Sequence, residues 1–168
     1  IHPREVKGIT QLDAALPPEW VFYTGLQYFP GHDTPIEMDL IVLMDDRVLL
    51  VEIKDWTQRI RVEGDNWVVG KKSRRGNPAK LVAAKARKLK TLLTTRLPHV
   101  PMYVDSCVIL TATPAVEGLP PGEARRVLSL AQACQLGDVG IRRTHLAQLQ
   151  LGLKAPSLWQ YASQFDEV

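Results

Sequence analysis

Charged residues interrupt apolar strands at two ends of one segment. Glu37 and Asp39 open residues 35–56 (PIEMDLIVLMDDRVLLVEIKDW), and Glu52 and Lys54 close them. Between lie two apolar runs, 40–43 and 48–51, on either side of Met44-Asp45-Asp46-Arg47, a pattern that predicts two strands joined by a tight turn. A turn centred between Asp45 and Asp46 sets Asp39 opposite Glu52 and Glu37 opposite Lys54, all on one sheet face. Opposed Cβ atoms on antiparallel strands are roughly 5 Å apart, and two carboxylates there repel unless a cation neutralises them. A hard divalent cation, Mg²⁺ or Mn²⁺, suits such a pair, since it takes one or two protein carboxylates and leaves its other positions to water and phosphate. The same residues also fit a salt-bridge cluster on a half-exposed sheet. Against that reading, they end strands that otherwise look buried.

The elements that must position these residues are legible on both sides. Residues 3–16 carry Val6, Ile9, Leu12 and Leu16 at helical spacing and stop at Pro17-Pro18, predicting an amphipathic helix. Glu5 falls on the inward edge of its stripe, although a helix-start acid favoured by the macrodipole would stand there too. Residues 20–29 (WVFYTGLQYF) read as the first strand and 30–35 as a loop. Beyond the hairpin, 58–62 and 67–69 read as short strands about the turn Glu63-Gly64-Asp65-Asn66, followed by a basic, glycine-bounded loop over 70–76.

Asn77-Pro78 supplies an N-cap and a first helical proline for a helix reaching about Leu97. Its predicted stripe is Leu81, Ala84, Leu89, Leu92 and Leu93, with Lys85 on the same side. Two placements are open to Lys85: it can snorkel to solvent, or point at the sheet face that carries the carboxylates. Residues 102–111 (MYVDSCVILT) read as a strand covered on both faces, reached by a parallel crossover through that helix. Arg126-Val127-Leu128 suits a short edge strand and Ser129 a cap for a helix over 130–136. From Arg143 on, Leu146, Leu149, Leu151, Leu153, Leu158 and Tyr161 predict helix broken at Pro156, with no chemistry of its own.

At 168 residues, 45% hydrophobic and 23% charged, the chain fits one globular domain. No apolar run reaches the ~20 residues of a membrane span, and no signal-peptide pattern opens the chain. The missing initiator methionine suggests a fragment of a longer protein. Cys107 and Cys134 lack metal-ligand spacing and read as buried free thiols of a reducing, cytoplasmic compartment. The net charge of +3 conceals an asymmetry: no acidic residue lies between Asp65 and Asp105, where ten of the 21 Lys and Arg residues stand. These include Lys71, Lys72, Arg74, Arg75, Lys80 and Lys88. A strongly positive face is expected, fitted to a phosphate backbone or else simply solvated.

An aspartate-bearing strand followed by Glu-x-Lys at the end of an apolar strand resembles the PD-(D/E)XK nuclease superfamily. With the acid-bearing helix ahead of it, the EMD and VEIKDW pair, the Trp-containing hairpin and the Asn-Pro that opens a lysine-bearing helix, residues 4–110 look like its nuclease-related domain, NERD. The resemblance implies an α/β, restriction-endonuclease-like core of αβββαβ order, a central mixed β-sheet flanked by helices over about 3–112, with 113–168 a helical extension. It implies metal-dependent hydrolysis of DNA phosphodiesters, endonucleolytic or nicking, in a larger bacterial defence, restriction or repair protein. Asp39 and Glu52 would bind the cation with the Ile53 carbonyl, and Lys54 would orient or deprotonate the attacking water. Glu5 would be an outer acid or would help to hold a second cation, and Glu37 would be an acid behind the ligands that could pair with Lys54. Many relatives carry a glutamine soon after the Asn-Pro; Leu81 stands there, and Lys85, one turn on, would substitute. Such domains are often fused to kinase, helicase or zinc-finger modules, and cutting both strands would call for a homodimer. The competing reading is a DNA-binding module that delivers nucleic acid to an attached enzyme, and a third is a protein-interaction scaffold.

Overall fold

In the computed structural model, which describes residues 3–29, 31, 34–147 and 157–168, the hairpin lies inside a five-stranded mixed sheet. Helix α1 (Pro3–Ala15) precedes strand β1 (Val21–Tyr28), and the hairpin follows as β2 (Ile36–Leu43) and β3 (Val48–Lys54). Its register is the one that a turn at Asp45 and Asp46 dictates, Leu40 pairing with Val51 and Leu43 with Val48. A slip of one residue would have sent Glu52 and Lys54 to the opposite face.

Three short strands then form a meander, β4 (Ile60–Glu63), β5 (Asn66–Val69) and β6 (Ser73–Gly76), with Gly64 at φ 60° in the two-residue turn between the first two. The stretch 70–76, expected as a loop, therefore holds a strand. Pairing with Asn66–Val69 satisfies its backbone, and both faces of β6 are open to solvent, so Arg74 and Arg75 are tolerated in it. Helix α2 (Pro78–Arg96) starts at Asn77, whose Oδ1 accepts from the Ala79 and Lys80 amides at 2.9 and 3.2 Å. Its buried face keeps Leu89 and Leu93 of the predicted stripe, but Val82 and Ala86 take the places expected for Leu81 and Ala84, and Leu81 is 55% exposed. Asn77 is itself buried and donates to Glu123, which anchors the first turn.

Strand β7 (Val104–Leu110) returns parallel to β3, as a right-handed crossover through a helix would place it. Strand β8 (Val116–Glu117) joins β4, helix α3 (Pro121–Ala124) follows, and β9 (Val127–Ser129) adds a parallel edge beside β7. The strand orders are β1-β2-β3-β7-β9 and β6-β5-β4-β8, so residues beyond 112 complete both sheets. Ser129 and Gln132 form a capping box on α4 (Leu130–Ala133), shorter than expected. Helix α5 (Val139–His145), a 3₁₀ turn (Leu158–Tyr161) and α6 (Ala162–Asp166) end the chain. Leu149, Leu151, Leu153 and Pro156 lie outside the described residues.

Each face of the main sheet has its own core. Ile41, Leu43, Leu50 and Val108 pack under Leu89, Leu93 and Phe165 on one side, and Leu40, Val42, Leu49 and Ile109 pack against Leu12, Leu136 and Leu146 on the other. Strict alternation would continue down β2, but Met38 and Ile36 rejoin the α2 side that Ile41 and Leu43 occupy. In β1, Tyr23 and Tyr28 likewise share that side. The break falls where Gly25 adopts φ 61° and where the pair Gly25–Asp39 is absent from a ladder that includes Thr24–Leu40 and Leu26–Met38.

The hairpin turn is tied to the rest of the chain by buried charge. Arg47 bonds Asp46 through Nε (3.0 Å) and Nη2 (2.7 Å), and reaches Asp105 Oδ2 at 3.0 Å and the Ala147 carbonyl at 2.9 Å. Asp105 also accepts from Arg126 and from the Ser106 and Ala147 amides. Asp45 Oδ1 accepts both the Trp20 and the Trp159 indole N–H, at 3.1 and 3.2 Å. Ala147 and Trp159 of the C-terminal part are thus docked on the turn, at the end of the sheet remote from Glu52.

Among the described residues no helix is long and apolar enough to cross a membrane. Both cysteines are free; Cys107 is buried, as expected, and Cys134 only partly so. Burial pushes both thiols above their ordinary value. Titration of the native protein with a thiol reagent is expected to report slow reaction at Cys134 and none at Cys107 until unfolding; rapid labelling of Cys107 would contradict this packing.

Candidate active site

The ladder between β2 and β3 runs from Leu43–Val48 to Leu40–Val51, and past that point a side chain takes over the backbone's role. The Ile53 amide donates to Asp39 Oδ2 at 2.9 Å. The Lys54 carbonyl bonds the Thr111 amide of the β7 side at 3.0 Å. Since carbonyls alternate along a strand and each residue's N–H and C=O leave by the same edge, the Ile53 carbonyl is directed toward β2 and Asp39.

Glu52 sits beside this gap, its side chain 13% exposed, with each oxygen engaged: Lys54 Nζ lies 3.3 Å from Oε1 and Lys85 Nζ 3.3 Å from Oε2. Lys85 thus takes the second of its two placements. Helix α2 lays it over the sheet because Ala86 and Leu89 beside it are buried, whereas its stem stays on the solvent margin. Lys54 also stands 5.6 Å from the centre of the Trp56 ring, which meets Trp67 edge to face at 6.3 Å. Glu52, Lys54 and Lys85 therefore converge at the open end of the hairpin, and Asp39 is held beside them through the Ile53 amide, between Glu52 and Lys54 in sequence.

Glu37 does not join them. Beyond the Gly25–Asp39 irregularity the alternation of β2 is reversed, so Glu37 turns away from the face of Glu52 and accepts from Gln27, its cross-strand partner, at 3.2 Å. The expected pair with Lys54 fails for that reason. Glu5 lies half-buried in the first turn of α1, next to Arg4, whose guanidinium is 3.2 Å from Asp55 Oδ2. Lys71, Lys72, Arg74, Arg75, Lys80 and Lys88 are exposed; Lys80 is paired with Asp65 and Arg74 with Glu63.

Sequence reasoning missed Asp55 and Thr111. Asp55 follows Lys54 directly, accepts from Thr111 Oγ1 at 2.7 Å and holds Arg4, so the end of β3 is fastened to both β7 and α1. The available signal was an acid immediately after the lysine, at the end of an apolar strand.

The donor set fits a hard cation in number and kind: two carboxylates and one backbone carbonyl. Among the described residues no group of three or more His, Cys, Asp or Glu side chains is gathered for a metal, so water or phosphate would complete the shell. Two lysines balance the two acids.

The family model described as the nuclease-related domain, NERD, matches residues 3–111. A curated relative, the "Probable kinase PglW" of Streptomyces coelicolor, is 27% identical over 182 residues, covering 88% of this chain and 11% of its own length. The chain thus spans about a tenth of that relative. No solved structure matches.

Proposed function

We propose that this chain, which belongs to the nuclease-related domain family, is a metal-dependent DNA endonuclease or nickase domain. The observation that carries the reading is that Glu52 meets Lys54 and Lys85 at the open end of one hairpin, with Asp39 held on the adjoining Ile53 amide. Asp39 and Glu52, with the Ile53 carbonyl, would hold Mg²⁺ or Mn²⁺, which when bound activates water and stabilises a leaving oxygen. Lys54 would orient the attacking water, or deprotonate it once its own ammonium has lost a proton, and would offset charge on the transition state. Lys85 leaves Glu52 to contact the phosphate, in the place of the helix glutamine of many relatives, and Glu5 supports the site from α1. Glu37 has no part in it.

The exposed cations of β6 and α2, with Lys71 and Lys72 ahead of them, track the DNA backbone. The match to one short stretch of a probable kinase supports a parent protein with further domains, a kinase foremost; a role in bacterial defence, restriction or repair rests on the family resemblance alone. Free cysteines agree with a cytoplasmic setting. A homodimer would bring two sites to a duplex.

Supercoiled plasmid tests the reading. Nicking in Mg²⁺ or Mn²⁺, lost in EDTA and lost in Lys54→Ala with DNA retention unchanged in a gel shift, is the expected result; parallel loss of nicking and binding would remove Lys54 from the chemistry. Affinity for DNA is expected to fall steeply with salt, by ~10³ or more between 50 and 200 mM if six or more phosphates are contacted. One observation favours the binding-module reading: both Glu52 oxygens are already engaged by lysines. Retention without cleavage in either metal would be its signature.

A further inference from the structure

We propose that Gly25 is a positioning residue for the metal centre, its left-handed backbone opposite Asp39 being what turns that carboxylate onto Ile53. The inference rests on the reading of Asp39 and Glu52 as metal ligands, and on a feature of the sheet that the reading does not use. Strands β1 and β2 keep a single register from Val21–Leu43 to Tyr28–Ile36. An inserted bulge would shift that register on one side of itself; here it is the same on both sides, and only the Gly25–Asp39 pair is missing. Both strands nonetheless change the face they present, β1 between Tyr23 and Tyr28 and β2 between Ile41 and Met38. Two strands that reverse their alternation in step, without losing register, are kinked together at one pair of residues. That pair is Gly25 and Asp39.

The glycine is required by its φ of 61°, where an L-residue meets its own carbonyl, asparagine least and β-branched residues most. Without the kink β2 would continue as a regular strand, and Asp39 would be carried by the ordinary pleat. With it, Asp39 leaves the β1 ladder and accepts from the Ile53 amide at 2.9 Å, while Glu37 is turned to the other face, leaving one aspartate at the gap. Gly25 touches neither metal nor substrate and acts through Asp39.

The test uses Gly25→Val, Gly25→Ala and Gly25→Asn, with thermal midpoints recorded so that each is measured folded. Two readouts are taken without DNA: Mn²⁺ affinity by calorimetry or electron paramagnetic resonance, and hydrogen exchange of the Ile53 amide. Valine is expected to weaken Mn²⁺ binding by about tenfold or more, the range for residues that orient a ligand, and to expose the Ile53 amide. Alanine should do so in part, and asparagine should keep both readouts near the wild type. If valine does not fold, alanine against asparagine carries the same comparison. An Ile53 amide equally protected in the valine or alanine variant overturns the proposal. Wild-type protein that binds no Mn²⁺, with Ile53 protection still lost on substitution, would instead sink the metal reading and leave the link from Gly25 to Asp39 standing.

Discussion

Glu52→Gln is expected to lower metal-dependent nicking of supercoiled DNA by at least about a hundredfold, since it would remove a ligand of the proposed cation and removes the charge that both lysines engage. The substitution keeps the shape of the side chain. Lys54 and Lys85 are 32% and 27% exposed in their side chains, so water can solvate both ammonium groups once the carboxylate is gone. The thermal midpoint should therefore move little, and DNA retention should be unchanged or stronger because one negative charge has left the basic face. Plasmid nicking at matched enzyme concentration, paired with a gel shift and a thermal melt, separates these effects. Residual nicking at the wild-type rate, still sensitive to EDTA, would place the metal somewhere other than the hairpin.

Asp105→Ala should cost about 3–5 kcal/mol of folding stability, the usual consequence of stripping one partner from a buried ion network. Arg47 and Asp105 are 1% and 2% exposed, and the carboxylate also accepts from Arg126 and two backbone amides. At ~2–4 °C per kcal/mol for a domain of this size, the melt should shift by roughly 6 °C or more. Asp105→Asn, which can still accept from the amides, should lose less. The network also gives stability a pH dependence with a defined sign. Burial alone would raise the Asp46 carboxyl, but the hydrogen bonds and charge of Arg47, with Arg142 adding, hold it below the ordinary range. Its contribution is complete above the unfolded carboxyl's pKa of about 3.9 and is lost as pH falls through the lower folded value. A melt followed from pH 6 to pH 3 should show that loss in the wild type; a flat profile would mean that Asp46 is not stabilised by its arginines.

The hairpin, its register, the covered parallel strand and the N-cap of the long helix were all legible in the sequence, because each follows from period-two or period-3.6 patterning joined to turn or cap chemistry. Lys85 was legible as one of two alternatives. Two of the failures share one origin. Leu81 and Glu37 were both placed by extrapolating a perfect period: for Glu37 a kink at Gly25 and Asp39 reverses the alternation, and in α2 the stripe holds at Leu89 and Leu93 while Val82 and Ala86, not Leu81 and Ala84, are buried ahead of them. The strand at 73–76 was hidden by its exposed arginines, since an edge strand is held by its backbone ladder and need bury no side chain. A glycine within a strand pattern is a known mark of irregularity, so the kink had a signal; the clasp of Asp55 on Thr111 and Arg4 joins residues too far apart in sequence for any periodicity to relate them.

The position of β3 between a near neighbour and a distant one sets an order of assembly. Asp39 meets Ile53 across 14 positions of chain and Lys85 meets Glu52 across 33, whereas Thr111 meets the Lys54 carbonyl across 57. Local closure is fast and long loops are slow to close, so the acidic half of the site belongs to a hairpin able to form within microseconds, on the general scale of such elements. Its covalently distant supports arrive with the parallel strand. During synthesis or refolding the two carboxylates would therefore be brought together before the helix lysine and β7 have docked, and if they hold a divalent cation as proposed, one present at that moment would bias the hairpin toward closure, so that the proposed metal would aid folding as well as chemistry.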